Sequence, residues 1–553
     1  MFRALVGYGV ASFAVLQIVE PVMHGLHWPE SVLTWVVLAL AAGFPLVVAL
    51  AWIFDDGQVL RPTGRAGLLL PLVGLLAAAP GLVWYFVIRR PPPAPAALAA
   101  GAQPSIAVLP FADMSPHKDQ EYFADGIAEE ILNSLAQIEA LHVAGRTSSF
   151  SFKGKSEDTK NIGERLGVAN VLEGSVRKEG NRVRITAQLI NSADGFHLWS
   201  QTFDLQLTDV FAAQDQIARA VVDALKLRLV PPKRRHEPTP EAHNQFLVAN
   251  QLYYRLTYEN YVRAAAEYER AVQLDPEYAQ AWAGLAMATF WSADGAATPA
   301  AVSSGFDRAM MCAEKAVALE PDLAEGYGAR GFVRNATLYD WEGSRVDFER
   351  ALKLNPGSAE TRRRYAQAVL ATLGRLPEAI GEAKRSTELD PLSAVSWSTY
   401  GRILAAAGQY AAARRALDQS LLILPQQNYA ASNVGVIALL EKRPAEALEI
   451  GDRSTSEVFR LSIRSMALRD LGREEEARRE LGVLISRFAH VGAYQIGAAY
   501  AWAGDRDQAF AWLDRAFAQR DGGLTALKFD PFLRGLRDDP RYAALLAKMK
   551  LPP

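Results

Sequence analysis

Residues 394–425 read AVSWSTYGRILAAAGQYAAARRALDQSLLILP, from Ala394 to Pro425. This is the pattern of a helical hairpin. Small Gly401 and Ala413 suit a close crossing of two antiparallel helices, with Trp397 and Leu417 filling the space around it. Gly408 suits the turn, because glycine adopts the left-handed backbone that ends a helix. Pro425 stops the second helix, having no amide to donate.

The pattern recurs. The small residue at Ala413 has counterparts at Ala264, Ala309, Ser344, Ala379, Ala447, Ala477 and Ala509, spaced by 45, 35, 35, 34, 34, 30 and 32 residues. Prolines recur at Pro276, Pro321, Pro356 and Pro391, three of them in the phrases Leu274-Asp275-Pro276, Leu354-Asn355-Pro356 and Leu389-Asp390-Pro391. Aromatics fill the Trp397 position at Trp282 and Tyr327, and turn glycines recur at Gly374, Gly472 and Gly504. A period near 34 residues with these positions resembles the tetratricopeptide repeat. The resemblance implies about eight hairpins over 241–520, with a loop insertion near Ser292–Ser303, two degenerate final units and a helical cap over 521–553.

The 553 residues imply several domains. A net charge of −2 supplies no electrostatic footprint for nucleic acid. The single Cys312 excludes an intramolecular disulfide and a thiolate metal site, and eight scattered histidines give no metal-ligand spacing.

The apolar excess lies at the N-terminus. Residues 31–54 and 66–88 carry no charge and are long enough to cross a bilayer of about 30 Å at about 1.5 Å per residue. Residues 4–22 form a shorter third candidate, with a cleaved signal peptide as its alternative. Arg3, Arg61 and Arg65 against Arg89 and Arg90 favour an inside N-terminus. The expectation for 1–90 is therefore two or three spans in the bacterial inner membrane, with the soluble domains periplasmic. A Pro/Ala-rich spacer, 91–104, follows.

Residues 105–230 then read as a small α/β domain. Ser105–Pro110 is a short buried-type strand, and Asp125–Glu139 has one apolar helical face, with Asp125 placed to cap it. Val168–Val176, Val183–Ile190 and Phe196–Phe203 are strands, the middle one alternating Val183, Ile185, Ala187 and Leu189 with polar residues. Asp194-Gly195 makes the hairpin turn. Asp209–Leu229 is an amphipathic helix ended by Pro231-Pro232, and 231–240 is a linker.

The runs Ile106-Ala107-Val108-Leu109-Pro110-Phe111, Glu121-Tyr122-Phe123-Ala124-Asp125-Gly126, Val171-Leu172-Glu173-Gly174-Ser175-Val176 and His197-Leu198-Trp199 resemble the TolB N-terminal-like domain of bacterial tetratricopeptide proteins. The endings Asp530-Pro531-Phe532 and Asp538-Asp539-Pro540-Arg541 also resemble those proteins. Such chains are often labelled adenylate cyclase-like, because relatives carry a cyclase or winged-helix domain before the membrane segment. Only Met1–Arg3 precedes the first apolar run here, so the resemblance implies architecture rather than cyclase activity.

No catalytic constellation emerges. Gly326-Tyr327-Gly328-Ala329-Arg330-Gly331 matches a dinucleotide fingerprint, but that motif needs a strand before it and a helix N-terminus after it. Here it falls inside the first helix of a repeat. Glu129 and Glu130 are adjacent on a helix and so point about 100° apart, which favours a role at the helix start over paired acid–base catalysis. His117, His142 and His197 have no partner at useful spacing.

Arg363 and Arg402 are the candidate partner-binding residues. Arg363 follows the large-aromatic position, which Arg362 fills, and Arg402 lies five residues after Trp397. In the tetratricopeptide family such positions tend to line the concave groove, where arginine holds an acidic peptide or a C-terminal carboxylate. The expected function is a non-enzymatic, membrane-anchored scaffold for protein or peptide partners, without cofactor. The alternative is a membrane sensor acting on a separate output protein such as a cyclase or transcription factor.

Overall fold

The computed structural model describes residues 103–227, 236–294, 298–426, 428–454 and 456–553. The expected membrane spans, most of the spacer and Pro231-Pro232 lie outside the described residues. Among the described residues, no helix is long and apolar enough to cross a membrane.

The N-terminal part is a sheet packed on helices. Its strands are β1 (Ser105–Val108), β2 (Ala112–Asp113), β3 (His142–Val143), β4 (Asn170–Glu179), β5 (Arg182–Asn191) and β6 (His197–Gln206), in the order β3-β1-β4-β5-β6. β1 runs parallel to β3 and β4, while β4, β5 and β6 form an antiparallel meander. The alternation in β5 puts Val183, Ile185, Ala187 and Leu189 in the core, against α1 (Glu121–Ala136) and α4 (Val210–Ala224). Between them come α2 (Arg146–Phe150) and α3 (Thr159–Leu166).

Two expectations here need correcting. α1 begins at Glu121, not Asp125. The Asp113 carboxylate fixes the entry by accepting the amides of Ser115 and Gln120, each at 2.8 Å. Asp125 is therefore inside the helix, buried, accepting from Lys153 Nζ at 2.5 Å. The fourth helix spans Val210–Ala224, shorter than the expected Asp209–Leu229.

Among the described residues eight helix pairs follow, forming a tetratricopeptide-like solenoid. Repeat 1 is Pro240–Tyr253 with Tyr258–Leu274, and repeat 2 is Ala279–Asp294 with Pro299–Leu319. Repeats 3 and 4 start with Ala324–Val333 and Ala359–Tyr365, each continued by one π-helical stretch, Arg334–Leu338 and Ala366–Ala371. Their second helices are Trp341–Leu354 and Leu376–Leu389. Repeat 5 is Ala394–Ala406 with Tyr410–Ile423, and repeat 6 is Asn428–Leu440 with Pro444–Arg453. Repeat 7 is Glu457–Asp470 with Glu474–Phe488, and repeat 8 is Ala493–Trp502 with Arg506–Gln519. The stretch expected as a loop near Ser292–Ser303 is mostly helical. Ser292–Asp294 ends one helix, and Thr298 caps the next by accepting the Ala301 amide.

The hairpin chemistry acts where the spacing puts it. The eight small crossing residues, Ala264 to Ala509, are all buried. Gly374, Gly408, Gly472 and Gly504 have φ of +80°, +78°, +73° and +80°. A Cβ on Gly401 would lie 2.7 Å from Leu417 Cγ and 3.1 Å from the Ala413 carbonyl. Gly401→Ala therefore pits a helix-propensity gain of about 1 kcal/mol against overpacking worth about 1–3 kcal/mol, and packing wins. We expect a lower melting temperature for Gly401→Ala and an unchanged or higher one for Gly381→Ala, whose Cβ meets nothing within 4 Å. A stabilised Gly401→Ala protein would refute the close crossing.

Residues 103–553 form one compact unit, because the segments on either side of the repeats pack back onto the array. At one end α1 and α2 pack on repeats 1, 4 and 5. At the other, the 3₁₀ turns Gly522–Ala526 and Pro531–Leu536 and the helix Pro540–Lys548 reach repeats 3 and 5.

Candidate functional site

The first helices of the repeats, parts of the second helices of repeats 1 and 2, α1, α2 and residues 518–532 line a chamber of about 1740 Å³. Both arginines singled out in the sequence, Arg363 and Arg402, line it. One side is aromatic. Tyr253 packs on Tyr261 (centroids 5.5 Å), Tyr261 stacks on Trp291 (5.9 Å) and Trp291 packs on Phe332 (5.5 Å). Arg364 lies over Phe332 at 5.0 Å and donates to the Tyr253 hydroxyl at 3.3 Å.

The chamber is not the basic groove that the arginine positions suggested. Among the described residues eight carboxylates line it against five arginines. Arg363 donates twice to Glu360, at 2.7 and 3.0 Å, and Arg364 donates to the same carboxylate at 2.6 Å. The surrounding protein opposes ionisation of Glu360, whose side chain is still half exposed, yet the two guanidinium groups overcome it and hold the carboxyl well below the usual range.

Arg402 differs. Its guanidinium sits over the Phe529 ring at 5.1 Å and has no ion pair among the described residues. Asp530 lies near but is committed elsewhere, accepting from the Tyr494 hydroxyl at 2.8 Å and the Phe532 amide at 2.9 Å. Burial pushes the Asp530 carboxyl up, against the pull of those donors and of Arg402. Trp291 Nε1 and Gln495 Oε1, also on the chamber wall, are buried atoms with no hydrogen-bond partner among the described residues.

Arg362 has a structural duty. At the equivalent position, Trp282 Nε1 donates to the Pro276 carbonyl at 2.9 Å and Trp397 Nε1 to the Pro391 carbonyl at 2.8 Å. Arg362 reproduces this with its fork, donating to the Pro356 carbonyl at 3.2 and 2.8 Å while pairing with Glu382 at 2.6 Å. Gly326–Gly331 lies within the first helix of repeat 3, where Gly331 faces the Ser344 carbonyl at the crossing.

Glu129 and Glu130 serve different partners. Glu129 accepts from Arg146 Nε at 2.8 Å, and Glu130 is bonded by the buried His243 at 2.8 Å. His243 escaped the sequence reading because its partner is 113 residues away. The middle residue of the Leu-x-Pro phrase also escaped it. Asp275 accepts from His236 and from the Thr239 amide, at 2.8 and 3.1 Å, and Asp390 accepts from the Ser148 amide at 2.7 Å. The recurrence Asp275, Asn355, Asp390 was the available signal, and its two aspartates are acceptors for the linker and the preceding domain as well as helix stops.

Comparison with known proteins gives partial matches. Residues 102–220 match a family model described as the second domain of HilA/YgeH-like transcriptional regulators. The chain is 40% identical over 191 residues to a protein named putative adenylate cyclase 3 of Rhizobium meliloti (strain 1021). That match takes in 34% of this chain and 32% of the relative, so the chain spans about a third of the length of the curated relative it matches. Similar solved structures include YrrB, titled a tetratricopeptide protein with an unusual peptide-binding site, at 24% identity over 35% of this chain and 90% of that one, with a TM-score of 0.24. PilF of Pseudomonas aeruginosa matches at 16% identity over 38% of this chain and 93% of that one, with a TM-score of 0.32. PilW, titled a type IV pilus biogenesis factor, matches at 18% identity over 39% and 96%, with a TM-score of 0.34.

Proposed function

We propose that this protein is a non-enzymatic scaffold, anchored in the bacterial inner membrane by its N-terminal segments, that holds a protein or peptide partner in the chamber of the repeat array. The soluble domains stand on the periplasmic side in this reading. The observation that carries it is the chamber itself, which joins an aromatic wall to an arginine, Arg402, that has no ion pair among the described residues. A carboxylate-bearing segment of a partner would complete Arg402, with Arg363 able to trade part of its bond to Glu360 for the ligand. Interfaces of this kind concentrate their energy in a few aromatic and arginine anchors. The test is crosslinked capture by the full chain in cells. Arg363→Ala combined with Arg402→Ala should lower recovery of the partner by about tenfold or more. Recovery equal to that of the unmodified chain would eliminate this site.

A second reading makes the protein a membrane sensor that acts on a separate output protein. It draws on the HilA/YgeH-like match and on the name of the Rhizobium meliloti relative. The captured partner discriminates the two: a cyclase or transcription factor supports the sensor, and an envelope protein supports the scaffold.

A further inference from the structure

The α/β domain is seated on the concave side of the array at three places. On repeat 1, the Tyr122 hydroxyl donates to Asn244 at 2.6 Å, and Gly126 leaves room for Leu247, whose Cδ2 would lie 2.5 Å from a Cβ there. Between repeats 3 and 4, the Gly357 amide donates to the Ala136 carbonyl at 3.1 Å. Between repeats 4 and 5, the Gly145 amide donates to the Leu389 carbonyl at 2.6 Å. At the same junction the Ser148 amide and hydroxyl both donate to Asp390, and the Leu392 amide donates to the Ser148 hydroxyl at 2.8 Å. The Leu392 side chain packs against the small core of Phe152, Ile162 and Leu166. Arg146 is stacked over Tyr254 at 3.6 Å. Glu129, Ala136, Gly145 and Arg146 thereby become part of the chamber wall.

The third seat is unusual in its charge. Asp390 is buried, its donors are neutral, and it forms no ion pair among the described residues. Burial pushes its carboxyl up to about 6 against the pull of the Ser148 donors, and Glu360 adds like charge. A buried carboxylate without a counter-charge is expensive to dehydrate, so this seat gives back hydration energy whenever it opens. The first seat has no such weakness, since Glu130 is satisfied by His243 and Gln214.

We propose that the α/β domain is a releasable clamp on the repeat chamber, hinged on repeat 1 and latched at repeats 4 and 5 by Ser148 and Asp390, and that the latch must open before a polypeptide partner enters. This rests on the reading of the chamber as the binding site, but its test needs no partner and so fails or succeeds independently.

The test is thiol labelling of the full chain with a bulky polyethylene-glycol maleimide. Leu392→Cys reports whether the latch covers the junction, and Val395→Cys, an exposed chamber residue, reports access to the chamber. Cys312, fully buried in repeat 2, is the internal control for unfolding. Two latch-breaking changes are used. Ser148→Ala removes the hydroxyl that bonds Asp390 and the Leu392 amide, and Gly145→Ala places a Cβ 2.6 Å from Asp390 Cγ. Either should raise labelling at both reporters by about tenfold, equivalent to about 1.4 kcal/mol, while Cys312 stays unreacted. Should Gly145→Ala expose Cys312, the smaller Ser148→Ala change decides. Unchanged labelling at Leu392→Cys would overturn the latch. Faster labelling there with no change at Val395→Cys would overturn its control of the chamber.

Discussion

Asp347→Ala should cost about 3 kcal/mol of stability, near the low end of the range for breaking a buried charge network. Asp347 lies in the second helix of repeat 3 and is 1% exposed. Its carboxylate takes Arg330 through two bonds, Nε at 2.9 Å and Nη2 at 2.6 Å, and Arg334 Nη1 at 2.9 Å. Removing it leaves Arg330 without its carboxylate and Arg334 with only the longer contact to Asp340 at 3.8 Å. Their side chains are 19% and 25% exposed, so water recovers part of the loss, which is why the low end applies. An internal comparison sharpens the test. Arg184 and Asp204 form a pair of similar geometry at 2.6 Å, but their side chains are 56% and 64% exposed. Exposed pairs contribute little because water and salt screen them, so Arg184→Ala should barely move a urea melt. If the two substitutions cost the same, the packing at Asp347 is not what the structure shows.

Trp341→Ala should cost about 3–5 kcal/mol, the range for deleting a large buried aromatic, and should loosen a segment two hundred residues away. Trp341 opens the second helix of repeat 3, is 4% exposed and stacks on Tyr339, which itself stacks on Phe517 of repeat 8. Its indole donates to the Met549 carbonyl at 2.7 Å, and Lys550 donates to the Leu338 carbonyl beside it at 3.2 Å. In an open solenoid each repeat touches only its neighbours. Here the terminal helix closes back on repeat 3, so the loss is felt at both places. Hydrogen exchange should show faster opening over Pro540–Leu551 in Trp341→Ala, while Trp341→Phe should lose little more than the hydrogen bond, about 1 kcal/mol. Unaltered exchange over that segment would contradict the closure.

Much of the site was legible at the level of position and little at the level of chemistry. Arg363 and Arg402 were placed on the concave face by their offsets from the large-aromatic positions of their repeats, Arg362 and Trp397, and both line the chamber. That Arg363 is tied to Glu360 was open to inspection, since the two lie three residues apart on one helix. That Arg402 has no ion pair among the described residues was not, because this depends on Phe529 and Asp530 packing beside it and on Asp530 being bonded by Tyr494. The start of α1 was misread for a similar reason. Asp125 looks like a cap until Asp113 and Lys153 are placed around it.

What the amino-acid sequence determined by itself is whatever one hairpin can settle within its own 34 or so residues. Turn glycines need positive φ, crossing residues must be small, and prolines end helices; each demand is met by neighbours a few positions away. The alternation in β5 belongs to the same class. The tertiary structure alone decided that the array is closed at both ends. Ser148 and Asp390 are 242 residues apart, and Trp341 and Met549 are 208 apart. In sequence these are ordinary polar and apolar residues with no periodicity to mark them. Their pairing depends on how eight hairpins stack on one another, which no single repeat displays.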